Sequence, residues 1–92
     1  MTGPITRTLP IINEKGLHAR ASAKLVECVE AFDAEAWIER DGMRVPGNSI
    51  MGLMTLVAAQ GTTITVTTSG PDAAALSDAI AALLASRFGE ER

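Results

Sequence analysis

The fold class is decided by the stretch Thr62-Thr-Ile-Thr-Val-Thr-Thr68, in which apolar residues alternate with β-branched residues that carry a hydroxyl group. A period of two is typical of a strand with one buried and one exposed face. Gly61 precedes the stretch and Gly70-Pro71-Asp72 follows it, so turn residues bound it on both sides. The sequence therefore predicts a half-exposed β-strand over residues 62–68.

Helices are predicted on both sides of this strand. The later helix begins after Gly70-Pro71-Asp72, contains alanines that favour helix formation, and carries its apolar residues on one side: Leu76, Ile80, Leu83, Leu84 and Phe88. The earlier helix is a short apolar one over 50–57, and the hydroxyl of Ser49 can cap it. We expect Leu53, Leu56 and Val57 to be core residues of this short helix.

The first half of the chain predicts two further units. Residues 34–45 form a hairpin, since Asp41-Gly42 can supply the positive φ angles of a two-residue turn. A helix over 19–31 buries residues that recur at intervals of three or four, namely Ser22, Leu25, Val26, Val29 and Phe32. Residues 5–12 predict a strand, and Pro10 places it at a sheet edge because proline has no N–H donor.

The resulting order is βαββαβα, within a single domain that spans residues 1–92. Helices interleaved with strands that are partly joined by a hairpin favour an α+β sandwich, with an antiparallel or mixed sheet and helices on one of its faces. We expect the other face of the sheet to be in contact with solvent.

Composition excludes several classes of function. The chain is 47% hydrophobic and 21% charged, which is the balance of a globular protein. A net charge of -3 and three aromatic residues argue against a nucleic-acid surface. The start of the chain has no signal-peptide pattern, no stretch is long enough to insert in a membrane, and the lone Cys28 cannot form an internal disulfide. We therefore expect a cytoplasmic protein and an anionic or protein partner.

The only histidine, His18, lies where a loop turns into the first predicted helix. A helix N-terminus has unpaired N–H groups and a partial positive charge, so it can bind phosphate and favours a neutral, nucleophilic imidazole. Arg20 could add a guanidinium that matches phosphate oxygens. From spacing alone, a polar residue at a helix start beside a solvated arginine remains the simpler interpretation.

Two segments resemble the signatures of the HPr family of histidine-containing phosphocarrier proteins. Gly16-Leu-His-Ala-Arg-Ala-Ser-Ala-Lys-Leu-Val26 is similar to the active-site signature, and Asn48-Ser-Ile-Met-Gly-Leu-Met54 is similar to the second signature. The two segments occur in the same order and at the same separation as in the family, and the βαββαβα order of elements also matches the family. The resemblance implies the family's open-faced β-sandwich, with a four-stranded antiparallel sheet and three helices on one face.

The resemblance also implies a function and its residues. In the family, enzyme I phosphorylates the histidine that His18 matches, and the phosphoryl group then passes to enzyme IIA proteins. Arg20 matches the arginine that holds the phosphate, together with the backbone amides of Ala19 and Arg20. The chain would act as a monomeric carrier that needs no cofactor and is not an independent catalyst.

Two further features follow from the second signature. Ser49 matches a serine that an HPr kinase/phosphorylase modifies in many members, although it is a good helix cap in either case. Ile50, Met51 and Met54 match the face on which the family docks its partners, and flexible methionines suit such a surface.

Several alternatives stay open on sequence grounds. Many HPr proteins of sugar uptake have proline where this chain has Ala21, and the Ala21-Ser22 pair is similar to the nitrogen-related NPr branch and to carriers of alphaproteobacteria, so the pathway is not defined. A regulatory module that acts only through partner binding is the second hypothesis, and a hydrolase that uses His18 as a base is a third that lacks a nucleophile. Cys28 is expected to be structural, and no metal site is expected, because ligand residues do not cluster.

Overall fold

The threonine-rich stretch forms a strand inside a four-stranded antiparallel sheet, as seen in a computed structural model that describes residues 3–92. The strands are β1 (Ile5–Pro10), β2 (Glu35–Arg40), β3 (Met43–Pro46) and β4 (Thr63–Ser69), and the helices are α1 (Ala19–Glu30), α2 (Ile50–Thr55) and α3 (Ala73–Ala85). This order confirms the predicted βαββαβα arrangement. Residues 1 and 2 of the predicted domain 1–92 lie outside the described residues.

The sheet has the strand order β1-β4-β2-β3, so β4 is hydrogen-bonded on both sides. Ile64 and Val66 of β4 point into the core, whereas Thr63, Thr65 and Thr67 lie on the other face, as the alternation predicts. The helices cover the inner face and leave the threonine face open; α3 packs against both β1 and β4, and α1 packs against the other two helices. This is the predicted open-faced sandwich.

The edge position predicted for Pro10 is confirmed, because among the strands of residues 3–92 β1 pairs only with β4. The strand ends at Pro10 and does not extend to residue 12. The hairpin turn is also confirmed, since Asp41 and Gly42 have φ angles of 51° and 79°. Both angles are positive, as a tight two-residue turn between twisted strands requires.

Helix α1 buries the predicted stripe of Ser22, Leu25, Val26 and Val29. Phe32 lies two residues beyond the end of this helix, where it is partly buried against the core. The spacing thus identifies the buried face of α1, although the helix stops one residue earlier than predicted.

Two predictions about the ends of helices are wrong. Helix α3 ends at Ala85, and Phe88 lies in a short 3₁₀ turn, Arg87–Gly89, in which all three residues have positive φ. The turn redirects the chain, and Phe88 still enters the core with 1% of its surface exposed. Val57 is not a core residue. It follows the end of α2, has a φ of 49°, and is 73% exposed because this left-handed backbone turns its side chain outward.

Candidate functional site

His18 is the N-cap residue of α1, as the sequence predicts. Its backbone is extended, with φ −76° and ψ −177°, and its carbonyl accepts the first intrahelical hydrogen bond, from Ser22 N at 2.8 Å. The N–H groups of Ala19 and Arg20 come before that first bond, so they have no partner within the helix. The ring of His18 therefore lies beside free donors at the positive end of a 12-residue helix.

The loop that leads to His18 is pressed against the segment after α2. Leu17 N donates to Ala58 O at 2.9 Å, and the Leu17 side chain is buried. Gly16 has a φ of 64°, and a Cβ at this position would lie 2.5 Å from Ala58 O. Glycine is needed here both for its positive φ and for the close approach of the two backbones. This contact fixes where α1 begins.

A carboxylate that the sequence analysis missed contacts the His18 ring. Nε2 of His18 lies 2.5 Å from Oε2 of Glu90, and the other carboxylate oxygen accepts from Nδ2 of Asn13 at 3.0 Å. The hydrogen bond from His18 has the largest effect on the pKa of Glu90 and lowers it; burial, the second-largest effect, raises it, and the hydrogen bond from Asn13 and the nearby Lys15 lower it further. Glu90 is thus held as an ionised acceptor next to the ring.

The segment after α3 runs across the loop that holds His18. Lys24 Nζ of α1 donates to Phe88 O at 2.6 Å, and Glu14 N donates to Arg92 O at 3.0 Å. His18 and Glu90 are 72 positions apart, and no local pattern links them, so sequence reasoning had no signal that could bring them together. Their proximity results from the turn at Phe88.

An open depression of about 660 Å³ lies beside the ring of His18. Its lining includes Ala19 and three cationic residues, Lys15, Arg20 and Arg92, and Glu14 and Glu90 are among its acidic residues. Arg20 is exposed, and its guanidinium forms no salt bridge within residues 3–92. It is therefore free to bind an anion placed at the His18 ring.

Ser49 caps α2, as predicted: its hydroxyl accepts from Gly52 N at 3.0 Å. The predicted docking residues Ile50, Met51 and Met54 are exposed by 40%, 76% and 42%, and Val57 joins them at the end of the helix. A second, shallower depression is lined by His18, Met54 and Val57. The structure thus brings part of this apolar surface, formed by Ile50, Met51, Met54 and Val57, next to the histidine, whereas Ser49 lines neither depression.

Other candidate chemistry has little support in the part of the chain that the structure describes. Burial raises the pKa of the half-buried Cys28 thiol, which disfavours the reactive thiolate. No group of three or more His, Cys, Asp or Glu residues is placed to hold a metal ion between residues 3 and 92. None of the helices in this range is long and apolar enough to cross a bilayer.

Comparison with known proteins agrees with this fold. The family model of the HPr component phosphorylation site of the phosphotransferase system matches residues 5–86. The phosphocarrier protein HPr of Cupriavidus necator is 48% identical over 86 residues, which are 94% of this chain and 97% of that protein. The phosphocarrier protein NPr of Shewanella violacea is 41% identical, with 94% of each chain covered.

A solved structure shows the same similarity in three dimensions. The crystal structure of HPr-C-His from Thermoanaerobacter tengcongensis superposes with a TM-score of 0.91 at 36% identity, and covers 96% of this chain and 99% of its own. The fold and the family match place the chain among the components of the phosphotransferase system. Within that system, it belongs to the HPr family and is a phosphocarrier protein.

The family assignment confirms the main prediction from sequence. It does not separate the sugar branch from the nitrogen branch, since proteins named HPr and NPr both match over nearly the whole chain. The hypothesis of a purely regulatory module gains no support from these relatives.

Proposed function

We propose that His18 is the phosphorylated residue, that it receives the phosphoryl group from phosphorylated enzyme I, and that it passes the group to enzyme IIA proteins in the cytoplasm. The observation that carries this proposal is the position of the ring at the N-terminus of α1, beside a depression that also contains the unpaired guanidinium of Arg20. A nucleophile, helix N–H donors and a cation are present within three consecutive residues.

These groups suit phosphoryl transfer, which asks a protein mainly for positioning and charge stabilisation. A ring nitrogen of His18 attacks phosphorus while the bond from phosphorus to the donor protein breaks. The N–H groups of Ala19 and Arg20, with the Arg20 guanidinium, then bind the phosphoryl oxygens. An acceptor protein reverses these steps, and His18 returns to its starting state. The chain is accordingly a carrier: it transfers the phosphoryl group from one protein to another and releases no product of its own.

The apolar surface of Ile50, Met51, Met54 and Val57 is proposed as the place where donor and acceptor proteins dock. Met54 and Val57 lie next to His18, so a protein that covers them would bring its own reactive group to the ring. Methionine side chains can adapt to more than one partner. A monomer suffices for this exchange, because all of these groups come from one chain.

Phosphorylation by enzyme I and phosphoenolpyruvate tests the proposal. Mass analysis should show one acid-labile phosphate on the wild-type protein and none on His18→Ala. Arg20→Ala should be phosphorylated more slowly, whereas Arg44→Ala should match the wild type, because Arg44 stacks on Trp37 of β2, away from the site. A phosphate that is acid-stable, or that persists in His18→Ala, would refute the proposal.

We further propose that an HPr kinase/phosphorylase modifies Ser49 and thereby regulates the exchange. The hydroxyl is partly exposed and caps a helix that belongs to the proposed docking surface, so a phosphate there would add negative charge where partners bind. With ATP and such a kinase, wild type should be labelled and both Ser49→Ala and Ser49→Asn should not. Asn retains the cap, so it separates loss of the hydroxyl from the roughly 1 kcal/mol cost of an uncapped helix. Equal labelling of Ser49→Asn would exclude this site.

A further inference from the structure

We infer that Glu90 is a positioning residue for the phosphoryl transfer: its carboxylate accepts the Nε2 proton of His18 and so leaves the lone pair of the neutral ring on Nδ1. The inference rests on the proposed function of His18, and adds to it a residue that holds the nucleophile in one tautomer and one orientation. The contact that motivates it is the 2.5 Å separation of Nε2 and Glu90 Oε2.

The carboxylate of Glu90 is itself fixed at both oxygens. Oε2 contacts His18, and Oε1 accepts from Nδ2 of Asn13. Asn13 is fully buried, and the same amide nitrogen donates to Gly16 O at 2.8 Å. Glu90 is therefore bonded to the loop whose position the Gly16–Ala58 contact sets. An exposed glutamate that met the ring by chance would not be held in this way.

The backbone that carries Glu90 is anchored as well. Phe88, two residues earlier, is almost completely buried in the core, and its carbonyl accepts from Lys24 Nζ. Gly89 N donates to Ser86 O and Glu90 N donates to Arg87 O, at 3.0 and 2.9 Å, which closes the turn between α3 and the site. The position of the carboxylate is thus determined by the core and by α1.

The chemistry of imidazole explains what this contact does. A neutral ring has one N–H and one lone pair, and a carboxylate acceptor at Nε2 requires the N–H to be there. Among residues 3–92, Nδ1 makes no hydrogen bond, so its lone pair is free. When Nδ1 forms the bond to phosphorus and the donor bond breaks, Nε2 keeps its proton and the ring becomes cationic. Glu90 then stabilises that positive charge, as carboxylates do for histidines in other sites.

Two measurements on Glu90→Ala and Glu90→Gln test the inference. The first is NMR of the 15N-labelled ring in the unphosphorylated protein. The Nε2 proton should exchange slowly with solvent in wild type and should lose this protection in Glu90→Ala. The second is the rate of phosphorylation by enzyme I, which should fall by about 10–100-fold in Glu90→Ala, by analogy with the loss of a carboxylate partner from a metal-binding histidine. Glu90→Gln keeps the size of the side chain but not its charge, so its phosphorylation rate should lie between those of wild type and Glu90→Ala.

Glu27→Ala is the matched control, because Glu27 is an exposed glutamate of α1 without a side-chain partner in the described part of the chain; it should leave both readouts unchanged. A wild-type rate in Glu90→Ala would overturn the inference, and so would a slower rate with an unchanged Nε2 signal. The NMR measurement needs no phosphoryl donor. Absence of labelling on wild type would therefore refute the proposed function, whereas absence of the protected Nε2 proton would refute the role of Glu90.

Discussion

The side chains of His18 and Glu90 form a hydrogen-bonded pair, and this contact affects the protonation of Glu90. Because the hydrogen bond from His18 is the main reason that the pKa of Glu90 is low, we expect this pKa to rise toward its ordinary value of 4.5 in His18→Ala. A pH titration of the Glu90 carboxyl carbon by NMR measures the change. An unchanged titration in His18→Ala would show that the contact does not form in solution.

The same pair makes the stability of the fold depend on pH. A carboxyl group with a lowered pKa in the folded state stabilises the fold above its ordinary pKa, and this stabilisation is lost as the pH falls through the lower, folded-state value. We therefore expect the free energy of unfolding to drop more steeply on acidification below the ordinary pKa in wild type than in His18→Ala. Urea unfolding at a series of acidic pH values measures both slopes, and parallel slopes would contradict the expectation.

Gly16 and Gly42 allow a test of backbone contact with a matched control. Both have positive φ, at 64° and 79°. A Cβ added at position 16 would lie 2.5 Å from Ala58 O, whereas a Cβ added at position 42 would have no atom within 4 Å. Gly42→Ala should cost about 1–2 kcal/mol for the left-handed backbone alone. Gly16→Ala should cost clearly more and also slow phosphorylation of His18, since the loop must move. Urea unfolding of both variants gives the comparison, and equal costs would contradict it.

At the scale of elements, the turn after α3 links the core to the functional site through Phe88. Phe88→Ala should destabilise the fold by about 3–5 kcal/mol, because it removes a fully buried aromatic ring. It should also weaken the contact of Glu90 with His18, which ring NMR can detect at temperatures where the variant is folded. Phe32→Ala removes a partly buried ring from the opposite end of α1 and should leave that contact intact. Loss of the contact in both variants would point to a general loosening of the fold.

The features of the helices and strands that could be predicted from the sequence are those that depend on nearby residues. The cap at Ser49, the turn at Asp41-Gly42 and the alternation of β4 depend on residues within a few positions, and sequence reasoning found all three. The ends of α2 and α3 depend on packing with distant segments, so Val57 and Phe88 were misplaced. The position of His18 was predictable from its neighbours, but its partner Glu90 was not, because only the folded chain brings residue 90 to the start of α1.

At the scale of the whole molecule, the sheet separates two surfaces. The helical side carries His18 and the apolar surface of Ile50, Met51, Met54 and Val57, and the other side presents the threonine face. Val57→Lys should slow exchange with enzyme I by raising KM, with little loss of stability since the side chain is 73% exposed. Thr8→Lys, at an exposed position of β1, should change neither quantity. An unchanged KM in Val57→Lys would remove this residue from the docking surface.

The strand order also determines when this molecule can fold during its synthesis. Strand β4 lies between β1 and β2, so the β2–β3 hairpin and β1 share no neighbour until residues 63–69 have left the ribosome. Sheets that depend on such distant pairings form slowly. His18 is translated early, but the carboxylate that contacts it follows 72 positions later. A nascent chain thus exposes its histidine while the next 72 residues are added, and the ring is ordered only after Glu90 has left the ribosome.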